Sequence, residues 1–226
     1  MASTPVFLTP PPTAAKRERR KQARPGELLE AALDLFVEKG FAATRAEEVA
    51  ARAGVSKGTL FLYFPSKEEL FKAVVQENVA GRLREGFVKL QSFTGPTTEL
   101  VPYLMMEWWK TYGATNASGI SKLMMSEATN FPELASYYQS EVIVPGRELI
   151  RQTILRGIQR GEFRPVDVDY AVFSILAPIM FLIMWKHSFG GCCPSGMVLD
   201  PEQYLRTQAD IVVQGLLKHP APEKTQ

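Results

Sequence analysis

Apolar residues along most of this chain recur every three or four positions, the spacing of one face of an α-helix, and no stretch alternates for long enough to predict a strand. Leu28, Ala32, Leu35 and Phe36 form the first stripe, opened by Pro25 or Gly26 and closed by Gly40, after which Phe41 is predicted to fold back onto the core. Ala46, Val49, Ala50 and Ala53 form a second, shorter stripe, and Gly54 suits the left-handed conformation that ends a helix. Ser56 caps a third helix with Leu60 and Phe64 inward and Gly58, Thr59, Phe61 and Leu62 outward. Thr44 with Glu47, and Ser66 with Glu69, have the spacing of capping boxes for the second and fourth helices. The fourth is predicted from Ser66 to about Leu90, a rod of over ~30 Å at ~1.5 Å per residue.

The sequence SFTGP, residues 92–96, breaks the chain, and helices resume after it. Thr98 to Gly113 carries Leu100, Leu104, Trp108 and Tyr112 at intervals of four, and Ser118 to Ala128 follows. A longer helix starts near Asn130, with Pro132 in its first turn, and is predicted to reach about Arg160 with a kink at Pro145. Asp167 to His187 and Pro201 to Lys218 complete the set. The pattern therefore predicts an all-α protein of about nine helices. Residues 1–24 are a disordered basic tail, 25–72 a three-helix helix-turn-helix domain with the fourth helix as linker to about 91, and 96–219 a second helical domain.

Composition adds limits. An apolar share of 46% is enough for a substantial core and excludes disorder throughout. The net charge of +2 argues nothing by itself, but residues 1–95 hold fifteen Lys/Arg against eleven Asp/Glu, and residues 96–226 hold eleven against thirteen. Lys16 to Arg24, KRERRKQAR, concentrates six of the basic residues in an arm that could reach phosphates or a minor groove, or be a solvated helix extension. Tyr170 to Trp185 is the one run that resembles a membrane span; read as too short, it is predicted to be a buried helix. Cys192 and Cys193 are adjacent, which fits neither a zinc site nor a disulfide framework, and reduced cytoplasmic residence is the expectation. No secretory signal is visible, and neither cofactor nor metal is implied.

Two short helices joined by a tight turn can place the second in the major groove of DNA. Gly58 allows close backbone approach, Thr59 can touch either base type or a thymine methyl, and Lys57 can donate to guanine or phosphate. Capped N-termini also offer free N–H groups, so Thr44 and Lys67 are predicted to clamp phosphates on either side of the reading helix.

The run EVAARAGVSKGTLFLYFPSKEELF resembles the front-end pattern of the TetR family of bacterial transcription regulators, with a close match over residues 27–72; EATNFPELA and RGEFRPVDVDYA are similar to segments of its members. The resemblance implies an all-α homodimer whose last two long helices form a four-helix interface, a palindromic operator in double-stranded DNA, and a back-domain pocket for a small molecule that sets the spacing of two reading heads. It places DNA contacts at Thr44, Arg45, Ser56, Lys57, Gly58, Thr59 and Phe61, with Tyr63 and Lys67 on phosphates. The family often has tyrosines where this chain has Phe61 and Leu62, which leaves Tyr63 as the aromatic phosphate contact.

Pocket candidates are Trp108, Tyr112, Met124, Met125, Phe131 and Met180, a set suited to an apolar or aromatic ligand, with at most one of the adjacent Trp108 and Trp109 facing inward. Glu107, Glu127 and Lys186 are the charges available to an ionised one. An enzyme is disfavoured: His187 and His219 are the only histidines, and no phosphate loop, nucleophile elbow or metal cluster is present. The expected protein is a repressor released by its ligand. A ligand-independent regulator or activator and a non-specific architectural DNA binder are the alternatives.

Overall fold

The structure, a computed structural model, describes residues 14–190 and 199–218, with side chains from 25 onward. Cys192, Cys193 and His219 lie outside the described residues. The described chain is helical: α1 (Ala14–Lys39), α2 (Ala46–Arg52), α3 (Lys57–Tyr63), α4 (67–92), α5 (97–113), α6 (Gly119–Glu127), α7 (132–159), α8 (Val168–Ser188) and α9 (Pro201–Leu216). That makes nine rods, because π turns join segments into α4 at Gln76–Ala80 and α7 at Gln139–Ile143, and a third π turn, Trp109–Gly113, ends α5. Among the described residues no strand occurs, only an isolated bridge between Phe163 and Leu217.

The front three helices and the start of α4 enclose one core. Leu28, Phe36, Phe41, Val49, Leu60, Leu70 and Phe71 are all essentially buried, and the rings of Phe36, Phe41 and Phe71 meet pairwise at centroid distances of 5.4–5.5 Å. Gly54 has φ +67°, which only glycine adopts at little cost, so it turns α2 into α3. Two expectations are corrected. Helix α1 begins at Ala14 rather than at Pro25, so the Lys16–Arg24 arm belongs to the helix and Pro25 sits inside it. The N-cap of α2 is Arg45, not Thr44: Arg45 N–H donates to Glu48 at 3.3 Å, one residue beyond the predicted Glu47. Glu47 is instead drawn off by Lys57. Ser66 does cap α4, its Oγ accepting from Glu69 N–H at 3.1 Å.

In the back half, Pro145 coincides with an irregularity, as its missing N–H predicts; the form taken is the π turn just before it, which widens the helix. The break at residues 92–96 is held by Arg156, whose guanidinium donates to Thr97 Oγ1 at 2.6 Å and to the carbonyls of Phe93 and Gly95 at 3.0 and 2.7 Å. Helix α8 differs from expectation. At 21 residues with a mean hydropathy of 1.9 it has the length and composition to cross a membrane, and it is not apolar all round because it is buried all round. Val172, Ile175, Ile179, Leu182 and Ile183 face the core, whereas Tyr170, Phe173 and Phe181 are exposed.

Candidate DNA-reading head and ligand cavity

Helix α3 projects from the front core on Leu60, its one buried side chain. Gly58 and Lys57 are exposed, Thr59 and Phe61 half-buried, Leu62 84% exposed and Tyr63 at 36%. Ser56 Oγ accepts from Thr59 N–H at 3.1 Å and lies 2.9 Å from Thr59 Oγ1, so the two hydroxyls restrain each other at the start of the helix. Lys57 Nζ pairs with Glu47 at 2.5 Å and sits 5.6 Å from the Phe61 ring. Both partners of that pair are more than half exposed, so it is a weak, salt-screened contact that leaves the lysine available. The ammonium holds the Glu47 carboxyl below the usual range. Arg45 is exposed at the start of α2, beside this face.

The two predicted clamps point elsewhere. Thr44 is 1% exposed and its hydroxyl donates to the carbonyls of Leu35 and Gly40 at 3.1 and 2.7 Å. Lys67 Nζ donates to the carbonyls of Phe41 at 2.8 Å, Thr44 at 3.1 Å and Ala42 at 3.4 Å, and lies 4.3 Å from the Phe41 ring centroid. Together they fasten the α1–α2 loop to the start of α4. Arg45, Ser56, Lys57, Gly58 and Tyr63 are exposed and Thr59 and Phe61 half-buried, with Tyr63 beside Glu69 and Lys72 of α4, whereas Thr44 and Lys67 serve the inside of the unit.

Behind the reading head, helices α4 to α8 surround a cavity of about 620 Å³. Trp108, Tyr112, Met124, Met125 and Met180 all line it, and the Trp108 and Tyr112 rings lie 4.8 Å apart. Phe131 does not line it. Its ring packs edge-on against Phe41 at 4.8 Å, which plugs the back half into the front core. Trp109 is buried against Gly113 rather than turned outward, so both tryptophans face the interior and only Trp108 reaches the cavity. Among the predicted charges, Glu107 lines the wall and pairs with Lys89 at 2.5 Å, raising the lysine's pKa. Lys186 is structural: its Nζ donates to the carbonyls of Gly113, Ala114 and Thr115 at 3.0, 2.8 and 2.7 Å, and burial lowers its pKa. Glu127 lies beside Gly40, away from the cavity.

Sequence reasoning named Tyr112 but missed the two hydroxyls joined to it, Ser121 and Tyr138. Ser121 Oγ lies 2.8 Å from Tyr112 Oη and 3.0 Å from Tyr138 Oη, and all three side chains are buried and line the wall. Burial pushes the Tyr112 hydroxyl well above its ordinary pKa and raises that of Tyr138, so both stay protonated. The signal was legible in part. Ser121 precedes Met124, Met125 and Ala128 at i, i+3, i+4 and i+7, and Tyr138 shares the Leu134–Val142 stripe, so each is a polar group on an inward face. Close by, Gln76 Nε2 donates to Tyr137 Oη at 2.9 Å and to Glu141 at 2.8 Å, tying the π turn of α4 to α7.

A helix-turn-helix head with an exposed reading helix, carried on a helical body with an internal cavity, defines the class of helix-turn-helix transcription regulators. Residues 28–74 match the description "Bacterial regulatory proteins, tetR family", and residues 101–188 match "Tetracyclin repressor-like, C-terminal domain". The chain is 49% identical over 168 residues to the HTH-type transcriptional regulator RutR of Escherichia coli (strain K12), covering 73% of this chain and 76% of that one. It is 30% identical over 212 residues to the HTH-type transcriptional repressor KstR2 of Rhodococcus jostii (strain RHA1), covering 92% and 98%. The crystal structure of the transcriptional regulator FadR from Bacillus subtilis in complex with stearoyl-CoA shares the fold, with a TM-score of 0.67 and 18% identity over 84% of this chain and 98% of that one. The chain belongs to the TetR family of DNA-binding transcription regulators.

Proposed function

We propose that this protein is a homodimeric repressor that binds a palindromic operator and is released from it by a small, apolar or aromatic ligand held in the 620 Å³ cavity. The observation that carries the reading is the succession of three parts: the head that bears the exposed face of α3, the rod α4 fastened to that head, and the cavity that α4 helps to line. Lys67 at one end of α4 holds the head, and Arg82, Leu83 and Gly86 further along line the cavity. A ligand that prefers one spacing of two heads by a few kcal/mol is enough to change operator occupancy. Two reading helices about 34–36 Å apart would occupy successive major grooves.

The second copy would cover the outward face of α8, where Tyr170, Phe173 and Phe181 are exposed, together with Ile211 of α9. On the head, Arg45, Ser56, Lys57, Gly58, Thr59, Phe61 and Tyr63 are the proposed DNA contacts. Thr44 and Lys67 support them from inside the fold. In the cavity, Trp108, Tyr112, Met124, Met125 and Met180 are proposed ligand contacts.

Footprinting on the DNA flanking the protein's own gene tests the reading. Protection of a palindrome supports it, and equal affinity for scrambled DNA at physiological salt overturns it in favour of architectural binding. A small-molecule screen for loss of the footprint then separates a ligand-released repressor from a ligand-independent one.

A further inference from the structure

The buried polar groups of the cavity wall that have a hydrogen-bonding capacity to spare are donors. Three hydroxyls, Tyr112, Ser121 and Tyr138, make two contacts with one another, and each carries a single O–H proton. Two protons are used, and one O–H is left over. A second unused donor comes from α4: Arg82 lines the cavity, and its Nε is the one buried side-chain nitrogen or oxygen without a hydrogen-bond partner among the described residues. Leaving a buried donor unpaired is costly, and such groups are rare enough to need a reason.

The acceptors of the wall are already occupied or wet. Glu107 is held by Lys89, and Glu85 and Gln139 are exposed, so that water can solvate them. Thr111 and Thr153 donate to the carbonyls of Glu107 and Leu149, and their spare lone pairs are cheaper to leave idle than an N–H. Arg147 stands over the Phe173 ring at 5.2 Å, adding a further positive charge at the wall.

We infer that the cavity takes an apolar molecule whose polar groups are hydrogen-bond acceptors, carboxylate or carbonyl, seated on Arg82 Nε and on the spare O–H of the Tyr112–Ser121–Tyr138 chain, and that it discriminates against apolar molecules ending in a cationic donor. This rests on the cavity being the ligand site of the proposed repressor. An amine would leave both protein donors unpaired and bring three more of its own.

Three probes with the same apolar body test it: dodecanoate, 2-dodecanone and dodecylamine, titrated into the full chain by calorimetry, with tryptophan fluorescence as a second readout. The expected result is saturable binding of the first two, with the amine at least tenfold weaker than either. Arg82→Met should lower affinity for dodecanoate about tenfold while leaving the ketone, which needs only the spare O–H, within threefold. An amine that binds as tightly as the ketone, failure of all three probes to bind, or an Arg82→Met protein with undiminished dodecanoate affinity would each overturn the inference. The titrations on the unmodified chain decide the preference even where a variant fails to fold. Because they contain no DNA, the acceptor preference is decided separately from operator release.

Discussion

Lys67 is a residue whose chemistry admits two roles that a sequence does not separate. A lysine just inside a capped helix N-terminus is placed to meet a phosphate, yet here its ammonium is spent on three backbone carbonyls and the Phe41 ring. Removing it with Lys67→Met should cost about 1 kcal/mol of stability, as partly buried carbonyls lose their donor. Chemical denaturation measures this; unchanged stability with a salt slope of DNA binding reduced by about one would return Lys67 to the phosphate. Thr59, half-exposed on α3 and restrained by Ser56, is proposed to read bases. Thr59→Ala should therefore cost about 1–3 kcal/mol at specific positions of the operator, and a uniform loss over all sequences would make it a backbone contact. His187 reports on the body of the protein. Burial, with the charges of Lys186 and Lys122, holds its pKa down to about 4 from 6.5, and its Nε2 lies 2.8 Å from Ser118 Oγ. The unfolded chain thus binds about one more proton between pH 4 and 6.5, so this contribution is complete above pH 6.5 and is lost as pH falls towards 4. Melting curves across that window should flatten in His187→Gln, and an unaltered slope would assign the proton elsewhere.

At the scale of elements, helix existence was legible because apolar spacing and caps act locally, and all nine predicted rods are present. What was not legible depends on groups distant in sequence. Thr44 lost its assigned cap because the Gly40 and Leu35 carbonyls took its hydroxyl, and Phe131 left the cavity because Phe41, ninety residues earlier, offered its ring. The π turns carry no periodic signal either, except where Pro145 announces one. Two of them, Gln76–Ala80 and Gln139–Ile143, are bridged by the Gln76 amide, which grips Tyr137 and Glu141 next to the cavity-lining Tyr138, Gln139 and Val142. Such turns recur where helices serve a function. Gln76→Ala should leave operator affinity within about threefold and raise at least fivefold the dodecanoate concentration needed for release. Anisotropy with labelled operator measures both, and an unchanged release curve would remove Gln76 from the coupling.

Over the whole molecule, the sequence pattern of α8 was read correctly as apolar and wrongly as enclosed, since a chain taken alone says nothing of what a second copy covers. Ile179 proves buried and lines the cavity, whereas Phe181 is exposed and packs only sideways, against Trp185 and Tyr204 at 5.8 and 5.6 Å. Charge at position 181 is therefore the cleaner probe of the proposed dimer. Phe181→Asp should shift the mass seen by light scattering towards the single chain with the helix content unchanged, and a variant still dimeric would put the interface elsewhere.

The outward side of α8 also has a consequence for dosage. Were the exposed aromatics of that side covered by a second copy, as proposed, the amount of paired protein would be governed by mass action. Under the proposed dimer, scarce chains would yield operator-competent species as the square of their concentration. Halving expression would then cut the functional form about fourfold, a threshold set by the cell's protein count before any small molecule enters the cavity.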